Sequence, residues 1–269
     1  MAAIPSQNRK YAIAAALILA LGAGGYGLAS FLPPLGPIAG TIAPQMYVDS
    51  LPDAHIPVKG RYVLVDAASA RLYMIEDGRV RDSMRVIVGK PETPTPALRS
   101  VINYATLNPY WHVTGDLART LVAPRVLQDG DAYLTTRGYE VVSGWGPDAR
   151  VLSPDSVDWQ AVAAGKATVY VRQRPGPANS LGHFKFDLPD GDGIYLHDTP
   201  KKELFAQDDR SLSHGCVRLE DAQRLARWLL EKDPPRVSVP EENVLLPRPV
   251  PITISYLDPR SQTRLAALQ

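Results

Sequence analysis

The sequence has almost no cysteine and almost no net charge. Cys216 is the single cysteine among 269 residues, and 29 Lys and Arg residues against 28 Asp and Glu residues leave a net charge of +1. One cysteine cannot form an internal disulfide, and a balanced charge provides no electrostatic footprint for nucleic acid, so no nucleic-acid partner is expected. In an oxidising compartment outside the cytoplasm a free thiol would be exposed to oxidation, which gives weak support to a functional role for this cysteine.

Charged residues are also lacking near the N-terminus, where none occurs between Lys10 and Asp49. Residues 11–32 are mostly apolar, and as a helix they would extend about 33 Å, the thickness of a bilayer core. Since basic residues flank the N-terminal side, we expect residues 1–32 to form a cytoplasmic stub and a transmembrane anchor, with the remainder exported. The alternative is a cleaved signal peptide that ends before Ser30.

Two stretches are rich in proline and show little periodicity. Residues 33–58 contain six prolines, which predicts a semi-extended linker between the membrane and the rest of the chain. Residues 236–269 are predicted to form a Pro-rich C-terminal tail, with a short strand at 251–256 and partial disorder at the end. The region between them, 59–235, is expected to hold the functional domain.

That region begins with short runs rich in β-forming residues, separated by turns. Residues 61–66, 71–76 and 80–88 are predicted as consecutive strands, with a hairpin turn at Asp77-Gly78. Further strands are predicted at 101–107, 168–172, 183–188 and 194–196. The pattern therefore indicates a mainly β fold.

Helical periodicity interrupts this pattern in two places. Apolar residues recur at helical spacing over 220–231, which predicts an amphipathic helix after the cysteine. The other interruption is an insertion at about 109–171. There the predicted elements are short helices at 116–122, 123–128 and from 156, and an extended pair at 134–142. The alternative for the insertion is simply a longer loop region.

The lone cysteine lies in a segment suited to nucleophilic chemistry. Cys216 follows His214 and Gly215, and His197 lies nineteen positions upstream, at the end of a predicted strand. An imidazole can take a thiol proton near neutrality, and a glycine lets backbone N–H groups approach a substrate oxygen. The helix predicted from Glu220 would direct its positive end toward the thiol and favour the thiolate.

Two other interpretations of these residues are open. A lone cysteine is often a small buried apolar residue, and His197, His214 and Cys216 are all zinc-type ligands. However, a His-x-Cys pair without a second compact ligand pair matches common zinc spacings poorly. We therefore expect no metal and no cofactor.

The residues around the cysteine carry a family resemblance. The segment is Ser213-His214-Gly215-Cys216-Val217-Arg218. It resembles the signature of the L,D-transpeptidases, whose catalytic domain is of the YkuD type. Further segments resemble the subgroup typified by the large Gram-negative enzyme YcbB, and these are 84–90, 108–111, 172–182 and 195–200. The resemblance covers roughly residues 59–233, without a separate peptidoglycan-binding module.

The resemblance implies a catalytic domain with a β-sandwich or barrel-like fold at 59–235, in which the insertion caps the active-site groove. It implies Cys216 as the nucleophile and His197 as the base, with Asp198 orienting the imidazole through its main-chain carbonyl. The enzyme would transfer the donor stem tetrapeptide of peptidoglycan to an acceptor amine, releasing D-alanine and making 3-3 cross-links.

The same resemblance implies roles for the neighbouring residues. Backbone N–H groups of the active-site loop would hold the oxyanion, and other side chains would bind substrate. The loop residues are Ser213, His214 and Gly215, and the substrate-binding candidates are Arg218, Tyr195 and Trp111. Stem peptides are the implied partners, and carbapenem-type β-lactams the implied covalent inhibitors.

Alternatives to cross-linking are an L,D-carboxypeptidase or hydrolase using the same site, and an inactive wall-binding protein with the same fold. The implied location is the periplasmic face of the inner membrane, or the periplasm if the N-terminal segment is cleaved.

Overall fold

The computed structural model describes residues 59–146, 148–189 and 193–268. The anchor and linker predicted over residues 1–58 lie outside these ranges and stay predictions. Within the described ranges, every helix is too short or too polar to cross a membrane.

The described residues form thirteen strands. They are β1 Arg61–Asp66, β2 Arg71–Glu76, β3 Arg79–Gly89, β4 Leu98–Leu107, β5 Trp111–Val113, β6 Tyr139–Val142, β7 Val151–Leu152, β8 Tyr170–Gln173, β9 Phe184–Asp187, β10 Tyr195–His197, β11 Ser211–Ser213, β12 Val217–Leu219 and β13 Glu242–Ser255. Most coincide with a predicted strand to within three residues. Strands β5, β7, β11 and β12 were not predicted.

Six α-helices accompany the strands over the same ranges. They are α1 Gly115–Leu117, α2 Ala123–Asp129, α3 Asp131–Arg137, α4 Trp159–Ala163, α5 Ala222–Leu230 and α6 Pro259–Ala266. A π-helical turn, Ala118–Val122, joins α1 to α2, and 3-10 turns lie at Pro154–Ser156 and Lys202–Ala206.

Nine strands form one sheet, in the order β11-β3-β12-β10-β9-β4-β13-β1-β2, and β2 also pairs with β3. The β2–β3 pairing closes eight of these strands into a ring. Strand β3 makes this possible because it is long: its first part pairs with β2, and its last residues pair with β12 and β11. The prediction of a mainly β, barrel-like fold is confirmed.

The interior of the ring is filled by alternate residues of the strands and by one face of α5. In α5 these are Ala222, Leu225, Ala226, Leu229 and Leu230, all buried. The carboxylate of Asp221 accepts a hydrogen bond from the Arg224 N–H and caps the helix. The amphipathic helix predicted at 220–231 is therefore present, but it begins two residues later.

The C-terminal segment differs from the predicted tail. Instead of a short strand at 251–256, β13 runs for 14 residues and lies inside the sheet, antiparallel to β4 and parallel to β1. The prolines of this strand made its sequence unlike that of a typical strand, so its full length was not predicted. The pairing with β4 shifts register between Leu245 and Val250, a stretch that contains Pro247 and Pro249. Beyond it, α6 covers the outer side of β1 and β2, where Tyr62 packs with Leu265.

The insertion between β4 and β9 has its own sheet and its own core. Its sheet has the order β5-β8-β6-β7, and the core includes Trp111, Val122, Trp159 and Val171. The extended pair predicted at 134–142 is wrong in its first half, which forms α3. Leu134 is buried there against the insertion core, and this packing overrides the weak helix propensity of the neighbouring threonines.

Candidate active site

The register of β10 and β12 brings the predicted site residues together. The two strands are parallel, with Leu196 opposite Val217 and His197 opposite Arg218. Leu196 and Val217 point into the ring core, so the residues that alternate with them point to the outer face. Cys216, directly before β12, therefore lies on the same outer face as His197, on the neighbouring strand and two residues away in register.

His197 is held by a neighbouring carbonyl. Its side chain is 5% exposed, and Nδ1 lies 2.5 Å from the Asp198 carbonyl oxygen. Because a carbonyl can only accept, Nδ1 carries the hydrogen and Nε2 carries the lone pair. Burial and the nearby Arg218 guanidinium lower the pKa of His197 to about 3, so the imidazole is neutral and can act as a base.

The carboxylate of Asp198 takes no part in this contact. It accepts hydrogen bonds from Lys202 Nζ at 2.6 Å and from the His183 N–H at 3.0 Å. Gly182 packs directly against it, so closely that a Cβ there would overlap the carboxylate. Asp198 therefore contacts the imidazole through its main chain, while its side chain fixes the turn before β9.

The thiol of Cys216 is partly buried. Sγ lies 3.9 Å from the Gly193 carbonyl oxygen, and Tyr195 and Arg218 lie close enough to influence its ionisation. Burial is the main influence and raises the pKa of Cys216, although Tyr195 and Arg218 act in the opposite direction.

The expected stabilisation of the thiolate is therefore not present. Helix α5 begins six residues after Cys216, with β12 between them, and Asp221 already caps it. In the resting site the thiol of Cys216 and the imidazole of His197 are both neutral.

This charge state predicts how the free thiol responds to pH. Because the pKa of Cys216 is raised, the thiolate fraction is small at pH 7 and grows throughout the range to pH 9. We expect the rate of alkylation by iodoacetamide to rise continuously over this range, and to lie below that of N-acetylcysteine at pH 7. A rate that is already constant from pH 6 upward would contradict it. Mass spectrometry of the protein at timed intervals provides the measurement.

The loop before the cysteine is fixed by a serine. Ser213 Oγ donates to the Cys216 carbonyl at 2.6 Å and accepts from the Gly215 N–H at 3.1 Å. Gly215 has a φ of +119°, and a Cβ there would come within 3.2 Å of Ile194, so the turn requires glycine. Since the Gly215 N–H is already bound, it is not a free oxyanion donor, contrary to its predicted role. The N–H groups of His214 and Cys216 are the remaining candidates.

Two residues that support this loop were missed in the sequence. Thr95 is fully buried, donates to the Gly215 carbonyl at 2.7 Å and accepts from the Gly89 N–H at 2.9 Å. Tyr256 in turn donates to the Thr95 carbonyl at 2.7 Å. A threonine between two prolines and a tyrosine in a presumed tail give no pattern that would reveal this arrangement.

The predicted substrate-binding residues occupy different environments. Arg218 lies near Cys216, Tyr195 and His197, and within the described ranges its guanidinium makes no ion pair or hydrogen bond. Trp111 is only 8% exposed and packs in the insertion core, against which Tyr195 also packs. Its predicted role in substrate binding stays a prediction.

The zinc interpretation lacks a ligand cluster. Among the described residues, no three side chains of His, Cys, Asp or Glu converge as a metal site would require.

Comparison with known proteins places this site in a family. A family model described as the YkuD L,D-transpeptidase catalytic domain matches residues 60–242. A curated Haemophilus influenzae protein, named "Putative L,D-transpeptidase", is 35% identical over 182 residues, which cover 68% of this chain. The chain spans only 35% of the length of that relative.

Solved structures show a weaker likeness. The chain is 16% identical to the L,D-transpeptidase from Mycobacterium smegmatis, with a TM-score of 0.35, covering 72% of this chain and 58% of the other. It is 14% identical to the catalytic domain from E. faecium L,D-transpeptidase, with a TM-score of 0.36. That match covers 73% of this chain and 98% of the other. The family assignment rests on the two sequence matches.

Proposed function

Because the chain belongs to the family of YkuD-type L,D-transpeptidase catalytic domains, we propose that it transfers peptidoglycan stem peptides through a thioester on Cys216. The observation that carries this proposal is the shared outer face of β10 and β12. On this face Cys216 and His197 lie on neighbouring strands, and the imidazole Nδ1 is bound to a carbonyl, so that Nε2 is available as a base.

The first step is acylation. Nε2 of His197 takes the proton of the Cys216 thiol as the sulfur bonds to the carbonyl carbon that precedes the terminal D-alanine. The carbon–nitrogen bond then breaks, and the imidazolium returns the proton to the departing amine. The raised pKa of the thiol and the lowered pKa of His197 mean that this proton moves only as the bond forms, not in the resting enzyme.

The negative oxygen of the tetrahedral intermediate needs hydrogen-bond donors. Because Ser213 occupies the Gly215 N–H, the proposed donors are the N–H groups of Cys216 and His214, each worth about 3 kcal/mol. The tight turn around Gly215 supplies the close backbone approach that such donors require.

The second step is transfer. The acceptor amine attacks the thioester carbon, the carbon–sulfur bond breaks, and the proton lost by the amine passes through His197 to the sulfur. Arg218 is the proposed partner for a stem-peptide carboxylate, since this arginine is partly buried and makes no ion pair among the described residues. Water in place of the amine would give the hydrolase alternative.

The wider setting is proposed on the same basis. A strained β-lactam carbonyl would acylate the same thiol, so carbapenems are proposed covalent inhibitors. The resemblance to the YcbB-like subgroup and the apolar residues 11–32 support an enzyme anchored at the periplasmic face of the inner membrane.

The test is an incubation of the purified chain with tetrapeptide muropeptides, followed by mass spectrometry. We expect cross-linked dimers and released D-alanine, because an amine outcompetes water at a shielded thioester. Shortened monomers without dimers would establish the hydrolase instead. Neither product, together with no covalent mass shift from a carbapenem, would identify an inactive wall-binding protein.

A further inference from the structure

The strand beside the catalytic histidine carries two opposite charges on the outer face. Strand β9 is antiparallel to β10, with Asp187 opposite Tyr195 and Lys185 opposite His197. Phe186 points into the ring core, so Lys185 and Asp187 share the outer face with the catalytic residues. Directly opposed residues have Cβ atoms about 5 Å apart, so the pair borders His197 and Tyr195, with β10 between it and Cys216.

These two residues contact each other and their surroundings. Lys185 Nζ lies 3.2 Å from Asp187 Oδ2 and 5.7 Å from the centre of the Tyr195 ring. Tyr104 OH donates to the same carboxylate oxygen at 3.3 Å. The two side chains are 17% and 31% exposed, so both are held in place and both are open to solvent.

The Asp187 carboxylate lies on the face of the catalytic residues, and its described polar partners are Lys185 and Tyr104. It has little influence on the thiol, because burial is the main cause of the raised pKa of Cys216. An anionic side chain on this face suits a cationic or amine partner, and the partner of the second step is an amine.

We propose that Lys185 and Asp187 form the acceptor subsite and select an α-amino acid centre, with Asp187 binding the amino group and Lys185 the adjacent carboxylate. This inference rests on the proposed transpeptidation. The acceptor is thus a diamino-acid centre of another stem peptide or a free D-amino acid, rather than a lysine side chain of a protein.

Charge complementarity decides between these acceptors. A zwitterionic acceptor exchanges the single Lys185–Asp187 ion pair for two ion pairs and leaves the subsite neutral. A simple amine would bind Asp187 and leave the partly buried Lys185 ammonium without a partner, which is costly. The subsite therefore discriminates by the carboxylate that accompanies the amine.

The proton and bond changes at this subsite are those of the transfer step. The bound ammonium first loses one proton to solvent, and Asp187 accepts a hydrogen bond from the resulting amine. The nitrogen bonds to the thioester carbon, the carbon–sulfur bond breaks, and the second proton reaches the sulfur through His197. Lys185 and Asp187 make no bond to the reacting carbon, so they are specificity residues.

The experiment compares two acceptors, D-methionine and D-methioninamide, with a tetrapeptide donor and the full chain. The readout is the ratio of exchanged to hydrolysed product by mass spectrometry. In Lys185→Met we expect this ratio to fall about tenfold or more for D-methionine and to stay unchanged for the amide, which has no carboxylate. In Asp187→Asn we expect it to fall for both acceptors.

Carbapenem acylation of each variant checks that the fold and the first step are intact. Asp233→Asn is the matched control, since this carboxylate pairs with Arg227 in an exposed ion pair outside the site. Wild-type ratios in Lys185→Met or in Asp187→Asn, or an equal fall for both acceptors in Lys185→Met, would overturn the proposal while acylation persists. Wild-type protein that forms no acyl-enzyme would overturn the proposed function itself.

Discussion

Replacement of Cys216 by alanine is expected to abolish both cross-linked dimers and D-alanine release. The sulfur is the single thiol of the chain, and none of the groups around it, Tyr195, His197 or Arg218, is a comparable nucleophile when it is removed. Mass spectrometry of digested muropeptides gives the activity, and the mass of the intact protein after incubation with a carbapenem gives the adduct.

The substitution should leave the fold intact. Cys216 lies directly before β12, and the turn that contains it is held by Ser213 and Thr95 through main-chain atoms of the loop. We therefore expect an unchanged melting temperature to within a few degrees. Dimers produced at the wild-type rate by Cys216→Ala would dismiss the thioester mechanism.

Replacement of His197 by glutamine is expected to lower turnover about 10²- to 10⁴-fold, the usual contribution of a general base. Glutamine keeps a polar, uncharged group of similar length at the site, so the loss reports the missing proton acceptor. The rate of D-alanine release at pH 7 is the measurement.

A second measurement on the same variant separates catalysis from damage to the site. At pH 9 hydroxide in solution can deprotonate Cys216, so alkylation by iodoacetamide should stay within about threefold of wild type. A parallel collapse of alkylation at pH 9 would instead mean that the imidazole only shapes the pocket. Turnover unchanged by His197→Gln would remove the base from the mechanism.

The parts of the fold that depend on local sequence were predictable. Strands β1 to β3 follow from alternating β-forming residues, and the Asp77-Gly78 turn has both residues at positive φ, as a tight hairpin requires. For these elements the nearest neighbours in sequence carry the necessary information. The placement of His197 and Cys216 in one site was inferred instead from residue type and family resemblance.

The parts that depend on distant contacts were not predictable. The position of β13 between β4 and β1, and the bond from Tyr256 to the Thr95 carbonyl, join residues far apart in the chain. Likewise, the hydrogen bond from the Gly215 N–H to Ser213 Oγ depends on the local backbone conformation, which the sequence motif does not specify. The Lys-x-Asp spacing in β9 places both charges on one face of the strand. Only the register between β9 and β10 shows that they lie opposite His197 and Tyr195.

The placement of β13 also determines the order in which the chain can fold. Strands β1 and β4 are its neighbours on either side, and β1 pairs with it across roughly 190 residues of sequence, as in the register of Val63 with Ile252. Such long loops delay closure, so folding is slow for a domain of this size. A ribosome-bound or truncated chain lacking residues 242–255 would expose unpaired edges of β1 and β4. Such edges favour aggregation and proteolysis until β13 has been added to the sheet.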